Sequence, residues 1–252
     1  EFPATPIWFI NSDEEIGSPE SQRYVRMISQ AAIRAFILEP GLGTEGKLKT
    51  ARKGVGRFRI LIHGEAAHSG LDPTNGASAI QELANVVHQL HGLTDLERGI
   101  TVNVGVVQGG TRVNVKAAEA EAEVDVRVAS MDDGEAVTRA IRGLTARTPG
   151  TSLEVLGGIQ APPLERTPRN RRLWEAARAA GNRLGIELEE GTSGGASDGN
   201  TTSQYAATLD GLGSLGDGAH ALHEHVVAKA LPSRAALLAE LLLSPVSSGD
   251  EW

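Results

Sequence analysis

The sequence contains no cysteine in its 252 residues. That excludes disulfides, thiolate metal ligands and a cysteine nucleophile, and it removes any redox sign of compartment. A basic excess is also missing, with 24 Lys and Arg against 32 Asp and Glu and a net charge of -8. Phosphate-rich partners need cationic surface, so neither nucleic acid nor an anionic membrane is expected as a partner. No apolar run approaches the roughly 18 residues of a membrane span. No basic stretch leads into an apolar one as a secretory signal would, and a cytoplasmic protein is expected. No internal repeat is found. What remains is an ordinary globular composition, 40% hydrophobic and 22% charged. The length suits one large domain or two modest ones.

The apolar pattern divides the chain. Ile7-Trp8-Phe9-Ile10 reads as a buried strand close to the start. Ser18 and Pro19 read as the N-cap and first residue of a helix running to about Ala32. Ala35-Phe36-Ile37-Leu38 reads as a second strand, which Pro40 ends. Strand, helix, strand predicts a parallel sheet, with functional groups at the strand ends. From Gly54 to Gly158 the pattern changes. Phe58, Ile60 and Ile62 alternate, as do Ile100, Val102, Val104 and Val106. Between them Ile80, Leu83, Ala84, Val87 and Leu90 have helical spacing. Ala118 to Val128 puts Ala and Val on one face and acidic residues with Arg127 on the other, a strand with one wet side. Asp132 is expected to cap the next helix, and Leu153 and Val155 mark a last strand. This β-α-β-β-α-β order is ferredoxin-like. From Leu164 the chain returns to α/β. Leu173, Trp174, Ala177, Ala180 and Leu184 predict a helix, and Ile186 and Leu188 a strand. Two Gly-rich loops follow, at 192–200 and 215–225, and Ser233 is expected to cap a closing helix. The final residues read as disordered. The expected fold is α/β: a discontinuous domain, 1–53 and 160–252, interrupted by an α+β domain at 54–159.

Several residues stand where chemistry would sit. Adjacent carboxylates Glu14 and Glu15 follow the first strand. Neighbours in extended chain face opposite ways, so one could hold a metal while the other faces a water as general base. Glu39 ends the next strand. Carboxylates gathered at one sheet edge repel unless a cation or protons neutralise them, which makes a metal site the economical reading. His220, His223 and Glu224 share a Gly-rich loop, and imidazole suits zinc. The residues alone do not say which of the three binds. His68 sits between a strand and a helix of the insert, and Asn114 at a turn between two strands. His63, His88 and His91 show no partners in sequence.

Taken in order, five segments resemble the M20 family of metallopeptidases and amidohydrolases. They are Asn11 to Ser18, Leu38-Glu39-Pro40, Gly64 to Gly70, Gly194 to Asp198, and Gly218 to Glu224. The resemblance spans nearly the whole chain. It implies a zinc-peptidase-like catalytic domain with a ferredoxin-like lid that also forms a homodimer contact. It implies two divalent metal ions, zinc first and cobalt or manganese as alternatives. By the same resemblance Glu14 corresponds to the general base, Glu15 and Glu39 to ligands of the two metals, and His220, ahead of His223, to the last ligand. His68 corresponds to the lid histidine that stabilises the oxyanion in a partner subunit. Asn114 corresponds to the residue that binds the substrate carboxylate, with Gly194, Gly195 and Asp198 bordering that pocket. The implied substrate is an N-acyl amino acid or small peptide with a free carboxylate.

The sequence departs from the family pattern in three places. The family takes a metal histidine from a His-x-Asp segment, and a bridging aspartate from another, both ahead of the paired glutamates. Only ten residues precede Asn11, and neither segment is among them. Lys116-Ala117 stands where an apolar residue and proline are more usual. The arginine that some glutamate-releasing members use is not found near Pro162. Three ligands shared between two metals hold neither well, since catalytic zinc keeps about three protein ligands each. The catalytic domain is therefore expected to be incomplete and the chain poorly active. The alternative expectation is an inactive fragment or pseudoenzyme that dimerises through its lid.

Overall fold

The computed structural model describes residues 2–245. Two compact units emerge, one holding the chain up to Lys53 and again from Pro163, the other Gly54–Pro162. The expectation for the final residues falls outside the described part.

The first unit departs from expectation at once. Ile7 to Ile10 pairs with no strand, and Ile7, Trp8 and Ile10 are largely exposed. An apolar run gives a strand only where a neighbour takes up its N–H and C=O groups. None does so among the described residues. Glu14–Ile16 then forms a short 3-10 turn, so the two glutamates do not lie in extended chain. Helix α1 is Gln22–Ala31, with Ser21 rather than Ser18 at its N-cap. Strand β1, Arg34–Phe36, follows, then β2, Leu48–Arg52. Strand β2 has no counterpart in the sequence reading. Its Lys49, Thr50 and Arg52 are buried beside Leu48, so it shows neither alternation nor an apolar run.

The insert follows its predicted pattern. Its elements are β3 (Gly54–His63), α2 (Ala79–His91), β4 (Thr101–Gly109), β5 (Glu119–Val128), α3 (Met131–Arg142) and β6 (Ser152–Ala161). The strands form one antiparallel sheet in the order β4-β5-β3-β6. Phe58, Ile60 and Ile62 pair with Val124, Ala122 and Ala120, and this face packs on both helices. Each large side chain so buried is worth about 1.5–3 kcal/mol. Ser130, not Asp132, caps α3, its side chain accepting from Asp133 N.

The first unit resumes with α4 (Pro168–Arg183), β7 (Glu190–Ser193), α5 (Asp198–Thr202) and β8 (Ala207–Leu209). A two-residue pair, β9 (Gly216–Asp217) with β10 (His225–Val226), precedes α6, Leu231–Leu243. Thr167 caps α4, with Pro168 in the first turn. The strand expected at Ile186 lies a few residues later, as β7. Ala230 rather than Ser233 stands at the N-cap of α6. Strand β1 pairs in parallel with β8, and β2 in parallel with β7. Leu173, Trp174 and Ala177 of α4 meet Leu237 and Leu241 of α6 over Leu48 and Leu209, forming this unit's core. Among the described residues, no helix is long and apolar enough to cross a membrane.

Candidate functional site

The Glu14–Ile16 turn is built by its neighbours. Asp13 N donates to Asn11 Oδ1 at 2.8 Å. Asp13 Oδ2 accepts from Glu20 N at 2.8 Å. Gly17 and Ser18 then take positive φ of 93° and 54° and close the turn. Ser18 is not a helix cap because its side chain is used elsewhere. Its Oγ donates to Asp198 Oδ1 at 2.7 Å. Asn11 Nδ2 donates to Asp198 Oδ2 at 2.6 Å and to Ser18 Oγ at 3.0 Å. Both oxygens of Asp198 are thus engaged in fixing the turn to the start of α5. Gly194 and Gly195 are exposed just ahead of that helix.

A second network lies behind Glu39, which follows the end of β1. The Arg52 guanidinium forks onto Asp210, Nε at 2.8 Å and Nη2 at 3.0 Å. It also lies 3.6 Å from Glu39 and donates to Gly195 O at 3.0 Å. Ser197 Oγ donates to Asp210 Oδ2 at 2.6 Å. Arg52 and Asp210 are both buried. One cation therefore ties β2, the Gly-rich loop and Glu39 together.

The charges in this unit act on one another. Burial pushes the Glu14 carboxyl up to about 7, and Glu39, Asp198 and Glu15 push it the same way, against Arg52. Burial also raises Glu39, with Asp210 adding and Arg52 and Lys49 opposing. Burial and Arg52 lower Lys49, against Asp210, Glu39 and Glu14. Glu14, Glu15 and Glu39 are brought within electrostatic reach. His220 is exposed on the turn between β9 and β10, with φ 63°. Among the described residues, no three His, Asp or Glu converge as a metal would need. Clustered carboxylate oxygens do suit a divalent cation. The described residues thus fit as contributors to a metal site and do not close one.

In the other unit, His68 and Asn114 do come together, Asn114 Nδ2 lying 3.2 Å from His68 Nε2. Both are exposed. Lys49, Arg52 and Asp210 were not singled out in the sequence, and Asn11 and Ser18 were named only within a resembling segment and, for Ser18, as a helix cap. A signal existed for Asp210, a lone acid inside Thr208-Leu209-Asp210-Gly211-Leu212. A buried acid calls for a buried base.

Comparison with known proteins supplies the context. Residues 50–150 match the M20 family's Peptidase dimerisation domain. Carboxypeptidase G2 of Pseudomonas sp. (strain RS-16) is 27% identical over 245 residues, covering 92% of this chain and 57% of that protein. A Peptidase M20 domain-containing protein of Schizosaccharomyces pombe is 44% identical over 94 residues, 35% of this chain and 23% of its own. Aminopeptidase PepT of Bacillus cereus has TM-score 0.72 at 20% identity, over 88% of this chain and 61% of its own. The YXEP protein of Bacillus subtilis, described as a dinuclear metal binding peptidase from the M20 family, has TM-score 0.67 at 21% identity, over 91% and 62%. The chain spans a little over half the length of carboxypeptidase G2. Residues 50–150 thus match an M20 dimerisation domain, and the chain shares the α/β fold of these solved peptidases.

Proposed function

We propose that this chain belongs to a metal-dependent hydrolase that cleaves the amide bond of an N-acyl amino acid or small peptide beside a free carboxylate. The observation that carries the reading is the latched turn, in which the Asn11–Ser18–Asp198 bonds hold half-buried Glu14 beside Glu15 and Glu39. Glu15, Glu39 and His220 are the proposed donors to two divalent ions, zinc ahead of cobalt or manganese. Such ions, when bound, would polarise the scissile carbonyl and the attacking water. Glu14 takes the proton from that water and returns it to the leaving amine. His68 of one subunit donates to the oxyanion developing in the partner subunit's site, and Asn114 binds the substrate carboxylate. The engaged oxygens of Asp198 favour holding the turn over touching substrate.

The test is hydrolysis of a panel of N-acyl amino acids and dipeptides with added zinc, cobalt or manganese. In a form completed with the upstream metal ligands, Glu14→Gln should lower turnover by about 100-fold or more with metal binding kept. Turnover equal to that of the unaltered chain would overturn the reading.

A second reading is a non-catalytic protein that dimerises through its insert. Two observations favour it: the insert has a complete core of its own, and the proposed donors do not converge. Sedimentation as a dimer, with no hydrolysis of any panel member under saturating zinc, would select it.

A further inference from the structure

Two backbone amides converge on one side of the His68 ring. Gly70 N and Leu71 N donate to Nδ1 at 3.2 and 3.0 Å. An imidazole nitrogen that accepts carries no proton, so in the neutral ring the proton sits on Nε2. Nε2 faces the Asn114 amide nitrogen at 3.2 Å. Two donors do not bond each other. A half-turn of the amide, which keeps its shape, places Oδ1 there as the acceptor.

The loop that aims these amides is itself tied down. Its base is closed by two bonds between Glu65 and Ala77, each 2.9 Å. Asp72 N donates to His68 O at 2.9 Å. Lys116 Nζ then reaches three carbonyls, Pro73 O at 3.0 Å, Asn75 O at 2.6 Å and Gly76 O at 3.4 Å. An ammonium has three N–H donors, and here each meets an oxygen. Lys116 N also donates to Ala67 O at 2.9 Å, and Ser69 N to Asn114 O at 3.0 Å. The residue is thus fastened to the chain on both sides of His68. Gly76, with φ 75°, lies so close that an added Cβ would stand 2.6 Å from the Ala67 side chain.

We propose that Lys116 is a built-in cation that clamps the 69–76 loop shut, and that the clamped loop fixes His68 as an Nε2–H donor. Lys116 is then a positioning residue acting through His68. The functional meaning rests on the reading of His68 as the oxyanion donor. A ring held with its proton on Nε2 can donate to a developing negative charge once Asn114 Oδ1 gives way, with no change of tautomer.

The experiment is nitrogen NMR of the full chain with labelled histidine, His68 being assigned by the signal lost in His68→Gln. The expected spectrum has a bare Nδ1 and a protonated Nε2 at His68. A protonated Nδ1 in the neutral ring would overturn the proposal without any further variant. In Lys116→Met, amide exchange at Gly70 and Leu71 should rise about tenfold and the His68 tautomer should become mixed, with far-ultraviolet circular dichroism unchanged. Unchanged exchange and an unchanged tautomer would remove the clamp. Lys116→Gln carries the same expectation if the methionine variant does not fold. Neither readout uses turnover. A failure to hydrolyse any substrate would sink the functional reading and leave the clamp standing, and a wrong tautomer would do the reverse.

Discussion

Arg52 and Asp210 are 158 residues apart in sequence and meet as a buried, two-pronged ion pair with bonds of 2.8 and 3.0 Å. The pair also carries the neighbouring carboxylate and loop: Arg52 reaches Glu39 and Gly195, and Asp210 accepts from Ser197. Removing one partner leaves the other charged and buried. Asp210→Ala should therefore cost about 3–5 kcal/mol, read as the change in urea unfolding free energy of the first unit. An apolar pair, Arg52→Met with Asp210→Leu, should cost markedly less. Equal losses in single and double variants would contradict the account.

The latch at Asn11 is a smaller effect. Asn11 Nδ2 serves Ser18 and the Asp198 carboxylate, and its Oδ1 serves the Asp13 amide. Asn11→Ala should cost about 1.5–3 kcal/mol, as expected for hydrogen bonds to a charged group. The loss should appear as faster amide exchange at Asp13, Gly17 and Ser18, with the insert unaffected.

Glu82 offers a pH test inside the insert. It is buried on α2 and accepts from Arg147 N at 3.1 Å, Thr148 N at 2.6 Å and Asn85 Nδ2 at 3.2 Å. Burial pushes its carboxyl up, but the bonds from Thr148, Arg147 and Asn85 outweigh it and hold the pKa below the ordinary 4.5. A depressed carboxylate stabilises the fold above its unfolded pKa and loses that contribution as pH falls through its folded one. Acid should therefore weaken the insert below about pH 4.5, and Glu82→Gln should flatten that dependence. At about pH 7 the same variant should cost about 1–3 kcal/mol. Denaturant titrations across pH would show both effects.

Glu14 has the opposite sign. Its folded pKa, about 7, lies above the ordinary 4.5. Ionising it in the folded chain is therefore unfavourable, and the fold weakens as pH rises from about 4.5 to 7. With a chelator present, Glu14→Gln should be more stable than the unaltered chain above about pH 7. The two should match near pH 4. No difference at any pH would show that the carboxylate is not disfavoured in its site.

What could be read from sequence followed from how local each signal is. Strand β5 was legible because Ala120, Ala122, Val124 and Val126 alternate with charged residues within one short segment. Strand β2 was not, because Lys49, Thr50 and Arg52 are buried by partners far along the chain. Ile7 to Ile10 was read as buried because an apolar run does not state whether a neighbour will pair with it. Ser18-Pro19 has the letters of a helix start, yet the Ser18 hydroxyl is taken by Asp198, 180 residues away. Glu14 and Glu39 stood out as candidates from their places after apolar runs, and the structure brings them within electrostatic reach of each other. Arg52, Asp210 and Asn11 act through long-range pairing, which has no local mark. His220 was singled out for its type and its loop, and the structure leaves it exposed, outside any three-donor group.

The way the chain enters and leaves the insert has a consequence for how such a protein can be remade. Arg52 and Leu164 exchange two backbone bonds, of 2.9 and 3.1 Å, on one side of the junction. On the other side, Val55 is paired with Ala161. The outgoing and returning strands are thus already side by side where the insert begins. A tight turn joining Lys53 to Pro163 would span the gap without disturbing that pair, and a foreign hairpin-ended domain could be spliced in its place. The insert is a cartridge, exchangeable at two adjacent cuts.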